Sequence, residues 1–402
     1  MRVAIVAEYY PRANDPVLGV WAHRQALAAR DAGADVRVLV LERPLPPLAA
    51  VRRADLGAAR ATLRQPRHVQ LDGVDVEYVR YLSPPRPWSY ATWGAWAAPA
   101  LRRALARLHA RFPFELVHAH YAVPAGDAVR RAGVGGDGIP LVVSVHGGDV
   151  LATAQRSAYA RRIVQRTFGH ARLVLANSAG TARRCQALGA GATAVVHLGT
   201  DLPPVLERPR DAPPTLVTVG HLVARKRHAD VIEALALLAP QHPEVRYEIV
   251  GDGPERAALE ALASARTVRD RVRFAGQLPP AEARARAAQA DLFVLPSVDE
   301  AFGVAYVEAM GAGVPAIGCA DEDGPDEIAA AGPGLVQVPA RDPRALADAI
   351  ERLLADADAR MRLGREARAT VERSFTWERC GPATVAAYER ALSGRFPAAM
   401  RG

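Results

Sequence analysis

Short apolar strands and alanine-rich amphipathic helices alternate along the first half of this chain. Such alternation predicts a parallel sheet with helices on both faces. Helical stretches such as WAHRQALAARDAG separate the strand candidates, which are VAIVAEY, DVRVLVL, VDVEYVRY, ELVHAHY, LVVSVHG, RLVLANS and AVVHLGT.

The alternation stops at residue 199 and then begins again. The segment GTDLPPVLERPRDAPP, with five prolines in sixteen residues, is typical of a linker. We therefore expect two similar doubly wound α/β domains, residues 1–200 and 201–384, and a helical segment, 385–402, that packs back on the first domain. The later strand candidates are TLVTVG, VRYEIVG, RVRFAG, DLFVLPS, PAIGC and GLVQVP.

Charge is distributed unevenly between these two domains. Residues 1–200 hold 26 Arg and 13 acidic residues, a balance of +13, whereas residues 201–402 hold 25 basic and 30 acidic residues, a balance of −5. The first domain should attract phosphates or lipid headgroups, unless the arginines form a generally basic surface. No nucleic-acid reader motif is recognisable, so a nucleic-acid partner is the least supported class.

The chain lacks the sequence signals of a membrane span or a disulfide framework. No apolar run reaches the ~20 residues that a span needs, and Cys185, Cys319 and Cys380 are odd in number and far apart. We expect a cytoplasmic protein, or one peripheral to the inner face of a membrane. Trp88, Trp93 and Trp96, which precede an arginine-rich helix, suit interfacial contact or a buried aromatic cluster.

The stretch LPSVDEAFGVAYVEAMGAGVPAIGC, residues 295–319, predicts an anion site. A strand ends near Leu295 and a helix begins near Gly303, so unpaired N–H groups face the carboxyl edge of the sheet. Glu300 and Glu308 lie on either side of that turn. Two carboxylates suit a ligand with hydroxyl groups on both sides of its phosphates, such as a nucleotide sugar.

Lys226 is the only lysine among 51 cationic residues. It follows the strand TLVTVG, and so it also lies at the carboxyl end of a strand in the second domain. With Arg225, it could neutralise a diphosphate leaving group in the transition state. Chance survival in an arginine-rich sequence is the simpler alternative.

These residues resemble the retaining glycosyltransferases of family four, which have the GT-B fold with two domains facing a central cleft. Residues 300–308 match the Glu-x7-Glu motif of that family, and VGHLVARKRHAD resembles its glycine–lysine loop. SVHGGDV and VHAHYAVPAG resemble segments of its first domain. YYPRANDPVLGVWAHRQALAA is similar to the start of members that build bacterial exopolysaccharides and cell-wall polymers.

The resemblance implies a role for each matching residue. The catalytic set would be His146, Lys226, Arg225 and Glu300, with Glu300 holding the hydroxyls of the donor sugar. The donor-binding set would be Gly19, His221, Phe302, Gly303, Val304 and Glu308, with Glu308 at the ribose and residues 274–277 at the base. The acceptor side would hold His120 and Asp149. Two positions depart from the family pattern: His221 replaces an arginine, and Arg227 replaces a glycine.

The resemblance also implies partners and cofactors. The donor would be a nucleotide diphosphate sugar, with UDP favoured and GDP as the alternative. The acceptor would be a sugar, a lipid-linked sugar or a small molecule. No cofactor and no metal site are expected, although the chemistry would tolerate a divalent metal, and Asp321–Glu322–Asp323 is interpreted as a turn. Two other functions stay open: a sugar phosphorylase or epimerase of the same fold, and a non-catalytic subunit that binds nucleotide sugars.

Overall fold

The computed structural model describes residues 1–45, 57, 64–136, 138–206 and 212–396. The chain divides into two compact units. Unit 1 comprises Met1–Leu198 and Trp377–Gly402, and unit 2 comprises Gly199–Thr376. The predicted boundary at residue 200 is therefore two residues late, and the predicted end of the second domain at residue 384 is eight residues too far.

Unit 1 contains an eight-stranded sheet in the order β3-β4-β2-β1-β5-β6-β7-β8. All neighbouring strands pair in parallel except β3 and β4, which form an antiparallel hairpin that the sequence analysis did not predict. The strands are β1 (Arg2–Ala7), β2 (Asp35–Glu42), β3 (His68–Leu71), β4 (Val74–Arg80), β5 (Leu116–His120), β6 (Leu141–Val145), β7 (Leu173–Ala176) and β8 (Thr193–Val195).

Helices cover both faces of this sheet. Helix α1 (Val20–Asp31) packs on one face, where its buried alanines join a core with β1 and β2. The other face carries α2 (Arg86–Ser89), α3 (Trp93–Arg111), α4 (Asp127–Arg131), α5 (Ala158–His170) and α6 (Ala179–Ala187). The parallel strands are largely buried on both faces, which explains why they are almost continuously apolar in sequence, whereas the edge strand β3 is partly exposed.

Unit 2 contains a six-stranded parallel sheet in the order β11-β10-β9-β12-β13-β14. Its strands are β9 (Thr215–Val219), β10 (Arg246–Val250), β11 (Val272–Gly276), β12 (Leu292–Val294), β13 (Ala316–Cys319) and β14 (Leu335–Val338). Its helices are α7 (His228–Leu238), α8 (Arg256–Ala265), α9 (Pro280–Ala288), α10 (Val304–Gly311), α11 (Asp323–Ala331), α12 (Pro343–Ala355) and α13 (Ala357–Ser374).

The helical segment that follows unit 2 belongs to unit 1. Helix α14 (Trp377–Ser393) packs beside α1 and buries Cys380, Ala387 and Tyr388 in the same core. The sequence analysis placed the start of this segment at residue 385, but the helix begins eight residues earlier. The buried positions from Cys380 onward already belong to the unit 1 core, and Pro382 lies inside the helix without ending it.

We find no helix in the described ranges that combines the length and the apolarity needed to cross a bilayer.

Candidate functional site

The loop between β12 and α10 presents the first N–H groups of α10 at the carboxyl edge of the unit 2 sheet. Gly303 precedes the helix with φ 87°, in the left-handed region. A Cβ atom at Gly303 would lie 2.4 Å from the ring of Tyr306, so both the backbone angle and the space require glycine. No described side chain caps this helix, which leaves its N–H groups able to bind an anion.

Lys226 and Glu300 contact each other beside this turn. Lys226 ends a short 3₁₀ turn after β9, and its Nζ lies 2.5 Å from Oε2 of Glu300. Nη1 of Arg225 lies 3.6 Å from the same oxygen, and the Ser297 hydroxyl donates to it at 2.9 Å. Burial raises the pKa of Glu300, but the two cations and the hydroxyl outweigh that effect and hold it below its usual value. Glu300 is therefore an oriented carboxylate at neutral pH.

Backbone hydrogen bonds hold the two loops of this pair. The N–H of Val298 donates to the carbonyl of Arg225 at 2.8 Å. The N–H of Glu300 donates to a carboxylate oxygen of Glu322 at 3.0 Å. Glu322 lies in the predicted turn, where Asp321 has a positive φ of 61°. The sequence analysis missed the supporting roles of Ser297 and Glu322, because only their contacts with Glu300 reveal them.

Glu308 lies one turn further along α10 and is half-buried. Nη1 of Arg284 lies 3.7 Å from its carboxylate. Burial raises the pKa of Glu308 to about 7, although Arg284 acts in the opposite direction. The sequence analysis assigned Glu308 to the ribose and did not predict its contact with Arg284.

The other predicted donor residues of unit 2 differ in what they present. The Phe302 side chain is buried against Phe375, so only its backbone could meet a ligand. Val304 is partly exposed and His221 is exposed. Arg227, at the position where the family pattern has glycine, has a left-handed φ of 55° and forms a two-pronged ion pair with Asp230. That ion pair offsets the backbone strain that a glycine would avoid.

Three histidines lie in a row in unit 1, with His120 and His146 at the carboxyl edge of the sheet and His118 inside strand β5. Nδ1 of His120 lies 3.0 Å from Nε2 of His146, and their rings are stacked. His118 instead contacts the hydroxyls of Tyr388 and Ser144 at 2.8 and 2.7 Å. Burial lowers the pKa of His118 and of His146 to about 3, and so both rings are neutral at physiological pH.

Asp149 and Gly19 lie near this histidine row in the same unit. Asp149 accepts hydrogen bonds from the backbone N–H groups of Ala122 and Val123 at 2.8 and 3.4 Å. Burial raises its pKa to about 7. Gly19 begins α1 with φ 65°, and a Cβ there would lie 2.1 Å from the Tyr9 backbone. Gly19 is therefore required for packing within unit 1, whatever ligand approaches it.

Several buried polar atoms point to ligands on this edge. Within the described part of the chain, Nε2 of His120, Nδ1 of His146 and Oδ2 of Asp149 have no hydrogen-bond partner. Buried polar atoms are rarely left unpaired. Unit 1 thus holds predicted residues His120, His146, Asp149 and Gly19, and unit 2 holds the rest. No cluster of three or more His, Cys, Asp or Glu among the described residues could hold a metal ion.

Two family models match consecutive parts of the chain. The model described as Glycosyltransferase Family 4 matches residues 18–203, and the model described as Glycosyl transferases group 1 matches residues 207–370. TuaC of Bacillus subtilis (strain 168), named as a teichuronic acid biosynthesis glycosyltransferase, is 29% identical over 372 residues. That similarity covers 88% of this chain and 89% of TuaC.

Solved structures share the two-unit architecture. Sucrose-phosphate synthase of Thermosynechococcus elongatus has a TM-score of 0.78 at 22% identity, over 98% of this chain and all of that one. HepE of Anabaena, in complex with UDP and glucose, has a TM-score of 0.71 at 20% identity, over 97% of this chain and 99% of that one. At these identities, the likeness shows the fold alone.

Proposed function

Since this chain is a glycosyltransferase of family 4 with the GT-B fold, we propose that it moves a sugar from a UDP-sugar to an acceptor hydroxyl with retention of anomeric configuration. The observation that carries this proposal is the contact between Lys226 and Glu300 in front of α10. That arrangement supplies positive charge and N–H donors for a diphosphate, and an oriented carboxylate for sugar hydroxyls. GDP-sugars are the alternative donors.

The reaction breaks the bond between the sugar C1 and the diphosphate oxygen. Negative charge grows on the departing diphosphate, where Lys226, Arg225 and the first N–H groups of α10 stabilise it. The acceptor oxygen bonds to C1 on the face from which the diphosphate leaves, and the acceptor proton passes to a phosphate oxygen. Glu300 is held by Lys226 and Ser297, and so it orients the sugar rather than attacking it. This scheme uses no metal ion.

Unit 1 supplies the acceptor side in this proposal. His146 is neutral, and its unpartnered Nδ1 can hydrogen-bond the reacting hydroxyl. Asp149 and His120 offer two further unpartnered atoms for other hydroxyls. We assign the acceptor to the intermediates of a surface or cell-wall polysaccharide, in keeping with the name of TuaC.

The outer helices of unit 1 support a peripheral membrane location. Helices α3 to α6 carry eleven arginines and a single acid, Asp127, which is buried and paired with Arg130 and Arg131. Trp96 is 52% exposed and shares a helical stripe with Arg103 and Arg107. Interfacial aromatic residues with arginines suit an anionic bilayer, at about 1 kcal/mol for each cation near the surface.

Thermal stabilisation by nucleotides and nucleotide sugars tests the donor proposal. UDP or UDP-glucose at 100 times its dissociation constant should raise the unfolding free energy by ~2.7 kcal/mol, and Lys226→Ala should lose most of that gain. The exposed variant Arg379→Ala is the control. If no nucleotide stabilises the wild type, the proposal fails.

NMR of the glycosylated product tests retention by reporting the anomeric configuration of the transferred sugar. An inverted anomer contradicts retention.

Activity assays on the same purified protein distinguish a transferase from a phosphorylase, an epimerase and a non-catalytic subunit. A phosphorylase would release a sugar 1-phosphate from an oligosaccharide only with inorganic phosphate, and an epimerase would convert one nucleotide sugar into another without an acceptor. A non-catalytic subunit would bind the nucleotide and never turn over.

Sedimentation with phosphatidylglycerol vesicles tests the membrane location. Arg103→Gln/Arg107→Gln should reduce sedimentation with the vesicles, whereas Arg379→Gln/Arg395→Gln, which removes equal charge elsewhere, should not.

A further inference from the structure

A cavity of about 380 Å³ lies at the carboxyl edge of the unit 1 sheet. None of the site residues assigned above lines this cavity. The sequence analysis did not predict it. Its polar wall includes Glu8, Tyr9, Arg12, Arg43 and Tyr81, which directly follow strands or lie in the next loop, and Arg86, which begins α2. Its apolar wall includes Leu18, Leu41, Leu45, Pro85 and Trp93.

The charge of this cavity is positive. Arg86 lies 3.5 Å from the Glu8 carboxylate, which also accepts a hydrogen bond from the Tyr90 hydroxyl at 2.7 Å. Arg12 and Arg43 donate only to backbone carbonyls, those of Glu8, Leu41 and Ser83. Within the described residues, neither forms an ion pair with a carboxylate. The charges of Arg12 and Arg86 both act on the Glu8 carboxylate, so three guanidinium groups share a single carboxylate in this cavity.

An orphaned hydroxyl points to the same conclusion. Tyr81 is only 5% exposed, lines the cavity, and its hydroxyl has no hydrogen-bond partner among the described residues. Nε of Arg12 is likewise buried without a partner. Burial raises the pKa of Tyr81, so its hydroxyl stays protonated and can donate. The cavity thus gathers donors that lack acceptors, which is the complement of an oxyanion.

We propose that this cavity binds a phosphate group of the acceptor, with the apolar part of the same molecule against Leu41, Leu45 and Trp93. A phosphate suits the site better than a carboxylate does, because its three oxygens can accept from two guanidinium groups and a hydroxyl at once. The inference rests on the proposed function. It places the phosphate near the acceptor residues, since the Tyr9 ring contacts Tyr121, whose ring contacts His146.

Calorimetric titration of the full chain with three probes tests this assignment: inorganic phosphate, phenyl phosphate and geranyl diphosphate below its micelle concentration. Tyr81→Phe removes only the orphaned hydroxyl, and Arg43→Gln removes one charge. Each should weaken binding of both organic phosphates about ten- to a hundred-fold, the effect of losing a hydrogen bond to a charged group. Arg379→Gln is the control, and circular dichroism reports whether each variant folds.

The probes also identify the source of the phosphate. Tighter binding of geranyl diphosphate than of phenyl phosphate assigns a lipid-linked acceptor, and the reverse order assigns a water-soluble phosphate ester. The proposal is overturned if both bind no better than inorganic phosphate, or if both variants bind as the wild type does. UDP stabilisation, measured in parallel, separates the two claims: a chain that binds UDP but no organic phosphate retains the proposed function and loses only this inference.

Discussion

The Nζ atom of Lys226 lies 2.5 Å from Oε2 of Glu300, although 74 residues separate the two in sequence. The lysine and the carboxylate hold each other in place before any ligand arrives. Arg225 adds a second cation at 3.6 Å from the same oxygen. The group therefore keeps a net positive charge in front of α10, with its geometry already formed, which is the condition for effective electrostatic catalysis.

Glu300→Gln should lower turnover far more than it lowers nucleotide affinity. The neutral amide accepts hydrogen bonds from the sugar hydroxyls less strongly than a carboxylate does, and a misoriented sugar should cost about a hundred-fold in kcat. UDP lacks the sugar that Glu300 would orient, so its affinity should change little. Donor hydrolysis and UDP titration measure the two effects, with the exposed Glu372→Gln as control. An equal loss of UDP affinity would contradict the assigned role.

Glu308 should make donor binding depend on pH. Its pKa is raised to about 7, so the carboxyl is mostly protonated below pH 7 and ionised above it. An ionised carboxylate accepts hydrogen bonds from ribose hydroxyls more strongly. We therefore expect UDP-glucose affinity to increase several-fold between pH 6 and pH 8 and to stay flat in Glu308→Gln. Calorimetry at both pH values checks this, and a flat wild-type profile would count against it.

Asp149 should make the stability of unit 1 decrease as pH rises. Its folded pKa of about 7 exceeds the ordinary value of 3.8, so the folded chain binds the proton more tightly than the unfolded chain does. The contribution of this tighter proton binding to the free energy of unfolding is complete below pH 3.8 and is lost as pH rises through 7. Between pH 5 and pH 8, wild type should lose about 3 kcal/mol relative to Asp149→Asn. Urea unfolding measures it, with exposed Asp35→Asn as control.

Gly303→Ala should destabilise the donor loop through a clash as well as through backbone strain. The matched control is Gly313→Ala, because Gly313 has nearly the same φ, 83°, yet its Cβ would meet nothing closer than 3.6 Å. Both variants share the strain of about 1–2 kcal/mol, and only the first meets the Tyr306 ring. Gly303→Ala should therefore unfold at lower urea and lose UDP binding. Equal behaviour of the two variants would exclude the clash.

The strands and most helices could be predicted from sequence because the spacing of apolar residues along the chain indicates which type of element forms. Each strand of the two parallel sheets coincides with one of the apolar runs. The exception is His68–Leu71, a four-residue strand with polar residues at alternate positions, which is too short for a periodic signal. The bounds of helix Trp377–Ser393 were wrong because a continuous helix carries no marker of the unit to which it belongs.

The candidate site was predictable only in part. Lys226 and Glu300 were chosen separately, since each follows a strand of a parallel sheet; their contact depends on loop conformations that the sequence does not reveal. The phosphate cavity was missed because Arg12, Arg43 and Arg86 are three among fifty arginines. The burial of the Tyr81 hydroxyl and of Nε of Arg12, each without a hydrogen-bond partner among the described residues, distinguishes that place from the rest of a basic surface.

Helix Trp377–Ser393 has a consequence for how the chain is synthesised. Unit 1 begins at the first strand, but the helix that covers α1 leaves the ribosome only after all of unit 2. Until then His118 lacks its Tyr388 partner, and the alanine face of α1 is open to water. We infer that unit 2 is the first to fold completely during translation. Unit 1 stays incomplete until unit 2 has been synthesised, so a chain that ends before residue 377 contains no complete unit 1.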